Sequence, residues 1–155
     1  MAEGGVQFEV KTTATSDALQ RLAAQLRDRR VVNRQLAIQM SSWVARNFAA
    51  EGRLNVPWAS LAASTAARKV TKAGARRGFD HILVQTGLLR ASFQLFASDN
   101  DSATVGSAVK YAEYHEAGGR HLPRRPMLPT SDIALGQAVD VYENFIARSR
   151  EQAGL

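Results

Sequence analysis

The sequence predicts an α+β fold: a small antiparallel sheet packed against long helices, with an extended loop and a C-terminal helix. Three observations predict it. Apolar residues recur at helical spacing between Leu19 and Phe48 and again between Leu135 and Ile146. They alternate at a period of two around Val6–Val10 and Phe93–Ala97, and they lose any clean period between residues 52 and 80. At 155 residues the chain suits a single domain spanning 1–155.

Val6, Phe8 and Val10 alternate with Gln7, Glu9 and Lys11, which reads as a half-buried strand over 6–11. Thr15-Ser16-Asp17 offers an N-cap, and Leu19, Leu22, Ala23 and Leu26 follow on one helical face. Polar residues Arg27 to Arg30 interrupt that stripe. A second stripe, Leu36, Met40, Trp43, Val44 and Phe48, runs until Gly52. Residues 17–51 therefore form either two helices or one long bent helix, with the apolar side toward a sheet.

Residues 53–80 read as a basic surface loop, of which Ser60 to Val70 can be helical because it is rich in alanine. Over 86–107 a capped turn at Thr86-Gly87-Leu88-Leu89 leads into a hairpin. Phe93, Leu95 and Ala97 supply one strand, Ser98–Ser102 the turn and Ala103–Gly106 the partner. A short helix over 110–118 is closed by Gly118-Gly119. Pro123, Pro126 and Pro129 recur every third residue, which sets them along one edge of an extended arm over 119–130. Thr130-Ser131-Asp132 then caps a helix over 131–151 with the stripe Leu135, Val139, Tyr142 and Ile146.

Composition narrows the classes. Hydrophobic residues are 45% of the chain but aromatics only 7%, so alanine makes a thin core whose stability draws partly on neighbouring subunits. The absence of cysteine excludes disulfides and thiolate metal sites. No apolar run approaches the roughly 20 residues of a membrane span, and Met1–Lys11 lacks a signal-peptide pattern, so the expectation is a cytoplasmic product with no membrane partner. Six cations against Asp80 give residues 53–80 a local +5 out of the formal +6 of the whole chain. The basicity belongs to one segment.

Candidate chemistry is sparse. His115, Glu116 and His121, with Glu113 nearby, gather ligand types, but the two histidines stand six apart across Gly118-Gly119, which matches neither a zincin nor a finger spacing. Ser92 and Ser107 lie outside any nucleophile elbow, Asp99 and Asp101 sit in a turn, and no phosphate-binding glycine loop occurs. No catalytic residue, metal or cofactor is expected, and the protein reads as a non-enzyme. The rival signal is the run from Arg68 through Lys69, Lys72 and Arg76 to Arg77, five cations in ten residues, which suits phosphate contacts and gives the alternative of a small nucleic-acid-binding protein using 68–77. No aromatic inside the run could stack a base. Trp43 falls on the helical stripe as core, whereas Trp58 after Pro57 anchors a loop onto the domain, with an interface role second.

Several pieces then fall in a telling order. They are Pro57-Trp58-Ala59-Ser60-Leu61, Ser64-Thr65, Lys69, Ile82-Leu83-Val84-Gln85-Thr86-Gly87-Leu88-Leu89-Arg90-Ala91-Ser92, Val105-Gly106-Ser107, Tyr111–Gly118 and Leu122-Pro123-Arg124-Arg125-Pro126-Met127-Leu128. Over residues 53–132 this series resembles the tailed-phage virion morphogenesis family, the tail-completion proteins of Mu-like and related phages. Ser60 and Ala62 depart from the family's usual Trp-x-Pro-Leu-Ser, and Met127 stands where an aromatic is usual.

The resemblance implies a structural virion protein for tail completion or head–tail joining. It would form a homo-oligomeric ring at the neck or the top of the tail, be assembled in the host bacterial cytoplasm, and contact other neck, connector and tail proteins. Contact with genomic DNA in the channel is a further expectation. Residues 64–80 and 119–130 are expected to carry much of the inter-subunit contact, through Trp58, Arg68, Lys69, Lys72, Arg76, Arg77, Arg120, Arg124, Arg125, Pro126 and Met127. Thr86, Gly87, Tyr111, His115 and Gly118 read as turn-shaping residues.

Overall fold

The computed structural model describes residues 13–73 and 81–155. The strand expected over 6–11 lies outside the described residues. The observed order is α1 (Thr13–Arg27), α2 (Arg30–Ala49), α3 (Ala63–Ala73), α4 (Leu88–Ala91), β1 (Phe93–Ser98), β2 (Ala103–Ser107), α5 (Ala112–Ala117) and α6 (Ser131–Ala153). The fold is α+β, an antiparallel pair of strands against helices, with a long helix at the C-terminal end.

α2 is the organising element. It touches both strands, α4 and α6, and α6 in turn packs on α1. Trp43, Val44 and Phe48 from its second stripe enter the main core together with Trp58, Ile82, Val84, Leu89, Ala112 and Met127. Phe48 meets the edge of Trp58 with ring centroids 5.2 Å apart, a geometry that adds about 1 kcal/mol to their burial.

The polar run at Arg27–Arg30 breaks the long helical pattern into two helices. Asp28 accepts a hydrogen bond from the Arg30 backbone N–H at 3.2 Å and pairs with the Arg30 guanidinium at 2.8 Å, which stops α1 and starts α2. That guanidinium, through its hydrogen bonds above all, lowers the Asp28 pKa to about 2. The hairpin tip docks on this break. Asn33 donates to the Asp99 carbonyl at 2.8 Å, and Arg29 reaches Asn100 and Asp101. Within the tip, Asp99 accepts from the N–H groups of Asp101 and Ser102, and these bonds hold its carboxyl below the usual range.

β1 pairs antiparallel with β2 from Phe93↔Ser107 to Ser98↔Ala103, with a register shift between Leu95 and Ala97. The shift leaves Phe96 without an opposing residue and half exposed.

Part of each of two apolar stripes stays at the surface. In α1, Leu19 is exposed and Ala18 is the buried residue. In α6, Leu135, Val139 and Ile146 are 65%, 46% and 42% exposed, while Val141, Ser149 and Ala153 are buried. Tyr142 of the stripe is turned inward: its hydroxyl donates to Asn33 Oδ1 at 2.6 Å, while Arg21 of α1 donates to the Ala153 carbonyl at the far end of α6. The prolines also form no continuous edge. Gly119 and Leu122 bridge back on each other, Pro123 is exposed, and Pro126 is buried.

Two glycines at positive φ separate space from backbone strain. At Gly52 (φ +86°) an added Cβ would stand 2.4 Å from Trp58 Cδ1 and 2.5 Å from the Val56 carbonyl; at Gly87 (φ +81°) it would meet nothing within 4 Å. Gly52→Ala should therefore lower unfolding stability by about 2–4 kcal/mol and Gly87→Ala by ~1 kcal/mol, as read by urea denaturation. Equal losses would refute the packing role assigned to Gly52.

Candidate functional site

The candidate site is a clamp around residues 125–128 and the cleft beside it. The clamped segment has no helix or strand of its own, so its buried backbone groups need side-chain partners. Four side chains from three parts of the chain supply them. Trp58 Nε1 donates to the Pro126 carbonyl at 2.8 Å, and Asn47 Nδ2 lies 3.3 and 3.4 Å from the Pro126 and Met127 carbonyls. Asn55 Nδ2 donates to the Leu128 carbonyl at 3.1 Å. From α5, Glu116 Oε2 accepts from the Met127 N–H at 2.7 Å and the Leu128 N–H at 3.3 Å.

Arg125 completes the clamp in the opposite direction. Its backbone N–H donates to the His115 carbonyl at 2.8 Å, while Nε and Nη2 donate to the Ala59 and Ser60 carbonyls. Met127 closes the core beneath at 1% exposure. It fills the place where an aromatic is usual in the sequence pattern, and its flexible thioether suits the irregular space.

Local geometry brings these groups together. α5 ends at Gly118 (φ +74°), where a Cβ would stand 2.9 Å from Arg124 backbone nitrogen, so only glycine lets the arm return past the helix end. Thr86 Oγ1 accepts from the Leu88 N–H at 3.3 Å and Gly87 caps α4 in the left-handed region. The Tyr111 ring stands edge-on to His115 with centroids 6.3 Å apart.

Trp58 is buried as the anchor that the sequence reading put first, and Arg125, Pro126 and Met127, expected among the contacts with neighbours, are instead buried inside this chain. Their side chains hold the arm onto its own domain, because irregular backbone cannot stay buried without them. Arg68, Arg120 and Arg124 are exposed, and Arg124 Nε reaches the Glu116 carbonyl at 3.1 Å. Lys69 Nζ donates to the His81 and Val84 carbonyls at 2.6 and 2.7 Å, tying α3 to the segment before α4. Lys72 lies in α3, and Arg76 and Arg77 fall outside the described residues. The basic loop of the sequence reading is thus in part a helix, and the described part of the 68–77 run has at least one cation turned to backbone carbonyls.

Beside the clamp opens a cleft of about 900 Å³ between the Ser60–Lys69 segment, the Leu83–Leu89 segment, α5 and the arm. His115 and His121 both line it. Among the described residues, no group of three His, Asp or Glu side chains could hold a metal ion. Ser92 and Ser107 share a hydroxyl–hydroxyl bond, with Ser92 Oγ also on the Leu89 carbonyl and Ser107 Oγ accepting from the Val109 N–H. Both hydroxyls are occupied in shaping the base of the hairpin.

Asn47 and Asn55 were not singled out from the sequence, and Glu116 was weighed there only as a metal-ligand type beside His115 and His121. A signal was present for Asn47, a polar residue one helical turn beyond Trp43 and Val44 on the apolar face of α2. An amide in that position needs a backbone partner from elsewhere in the chain.

Burial, and secondarily the charge of Arg125, pulls the His115 pKa below its ordinary 6.5. The unfolded chain therefore binds more protons there than the folded one. Stability is full above pH 6.5 and falls as pH drops through 6.5 toward the lower folded value. His115→Gln should flatten that slope in urea titrations across pH 4.5–8, and an unchanged slope would assign it elsewhere. Separately, Glu116→Ala leaves the Met127 and Leu128 N–H groups unpaired and should cost about 2–4 kcal/mol of unfolding stability. Glu116→Gln keeps an acceptor oxygen and should cost ~1 kcal/mol in the same assay.

Comparison with known proteins assigns the chain. The model of the phage virion morphogenesis family matches residues 10–145, most of its length, and the chain belongs to that family. No curated protein and no solved structure matches it significantly.

Proposed function

We propose that this member of the phage virion morphogenesis family is a non-enzymatic subunit for tail completion and head–tail joining. In this reading it forms a closed ring at the neck or the top of the tail and binds adjoining neck, connector and tail proteins. The family supplies the phage assembly role. The observation that carries the finer reading is the exposed stripe Leu135, Val139 and Ile146 on α6, the longest helix.

A stripe of that kind has a thermodynamic consequence. Burying each of these side chains against a partner contributes roughly 1.5–3 kcal/mol, which the single chain leaves unused. Leu135, at the start of the stripe, also lines a groove of about 520 Å³ between α2, β2, the arm and α6, where every lining residue is apolar, Leu36, Met40, Val105 and Leu128 among them. Contacts between different surfaces of successive copies close into a ring when the rotation between them closes. No helix among the described residues is long and apolar enough to cross a membrane, so the stripe is read as a protein-facing surface.

The test combines self-association with particle assembly. Leu135→Asp with Ile146→Asp should leave the far-UV circular dichroism of the chain unchanged while abolishing its oligomers in sedimentation velocity. Phage lacking the protein, or carrying that variant, should accumulate separate heads and tails by electron microscopy. Joined, infectious particles in its absence would sink the proposal.

A further inference from the structure

The cleft beside the clamp has a chemistry that the clamp does not use. Arg125 engages the Ala59 and Ser60 carbonyls through Nε and Nη2 only, which leaves both N–H donors of Nη1 without a protein acceptor among the described residues. Its partners are carbonyls, and no carboxylate pairs with it there. A guanidinium so placed keeps its full charge in a setting where burial weakens solvent screening. The direction of the field is visible at His115, where the Arg125 charge adds to burial in disfavouring the protonated ring.

The lining of the cleft fits the same sign. Among the described residues it includes Lys69, His115, His121 and Arg125 and no aspartate or glutamate. His115 Nδ1 is buried without a hydrogen-bond partner. Around these groups stand apolar walls from Leu61, Leu83, Leu88 and Leu122. A cleft with apolar walls and a small number of convergent polar groups is the usual form of a specific binding site, and its volume of about 900 Å³ accommodates several residues of extended chain.

We propose that this cleft receives an extended segment of an adjoining virion protein, seating a carboxylate side chain on Arg125 with leucine-like side chains against the apolar walls. The planar guanidinium suits a carboxylate, and the flanking apolar contacts distinguish such a peptide from a bare anion. An extended segment is the occupant proposed because it can present a carboxylate to Arg125 and alternate side chains to the apolar walls. The source of the segment rests on the assembly role proposed above; the chemistry of the cleft does not.

The experiment uses the full chain and a fluorescein-labelled peptide Gly-Glu-Leu-Glu-Leu-Gly, followed by fluorescence polarisation. Its Gln/Leu and Lys/Leu counterparts and a short oligothymidylate serve as comparisons. Saturable binding of the Glu/Leu peptide alone, weakened by added salt, is the expected result. Thr65→Glu with His121→Glu places carboxylates at the cleft lining without removing a clamp bond, and should weaken binding at least roughly tenfold with an unchanged thermal midpoint.

No binding, equal binding of the Gln/Leu peptide, insensitivity to the variant, or preference for oligothymidylate would each overturn the proposal. The last of these would instead favour contact with nucleic acid. The two readings fail separately. Peptide binding by a chain that particles do not need would end the assembly role and keep the cleft. Unjoined particles without peptide binding would end the cleft alone.

Discussion

A short stretch of irregular backbone, residues 125–128, sets the requirements that most of this structure meets. Buried peptide groups outside helices and sheets cannot satisfy one another, and each one left unpaired costs about 1–3 kcal/mol. Here Asn47 comes from α2, Asn55 and Trp58 from the following loop and Glu116 from α5, and all converge on those four residues. The clamp therefore fixes the end of α2, the path of the loop after it and the orientation of α5 at once. Gly52 and Gly118 are consequences of the same demand, since each lets backbone or a ring approach where a Cβ would collide.

The clamp also explains why the chain can afford its thin core. Among the described residues the largest buried apolar side chains are Trp43, Phe48, Trp58 and Met127, and medium-sized Val44, Ile82, Val84 and Leu89 with Ala112 complete the main core. Polar bonds to the arm add specificity where apolar area is small, because a displaced arm would strand Met127 and Leu128 N–H groups together. What remains is apolar surface on the outside, on α6 and along its groove. The stability that a larger single-chain core would give is, in the proposed ring, distributed across contacts between copies.

Much of this was legible in the sequence, and the misses have physical causes. The hairpin, the break after Arg27, the α2 stripe and the terminal helix all follow from period and turn chemistry, which are local, although the Thr130 side chain makes no capping bond. The family resemblance rested on ordered motifs, and the matching range of 10–145 extends well beyond the 53–132 that carried it. Periodicity located the apolar stripe of α6 but not what covers it. The buried residues of that helix, Val141, Ser149 and Ala153, include two small ones that leave a weak hydropathy signal. Arg125 and Met127 were read outward because proline spacing suggested a free arm, whereas Trp58 was read first as an anchor and is one. The pairing of Asn47 with carbonyls 79 and 80 residues away has no local signature at all.

Arg125 joins the two halves of this structure. Nε and Nη2 close the clamp on the Ala59 and Ser60 carbonyls, and the same residue lines a cleft with no acid among its described lining residues. Lysine could not serve both sides, because a single ammonium is a point charge, whereas the guanidinium holds two directions in one rigid plane. The arrangement means that a carboxylate reaching the cleft would meet a donor already held in position by four-residue clamp geometry. Little side-chain entropy is then lost on docking, and the affinity of such a contact depends on how firmly the arm is held. In a subunit whose role is to join others, rigidity inside the monomer and affinity between monomers are set by the same residue.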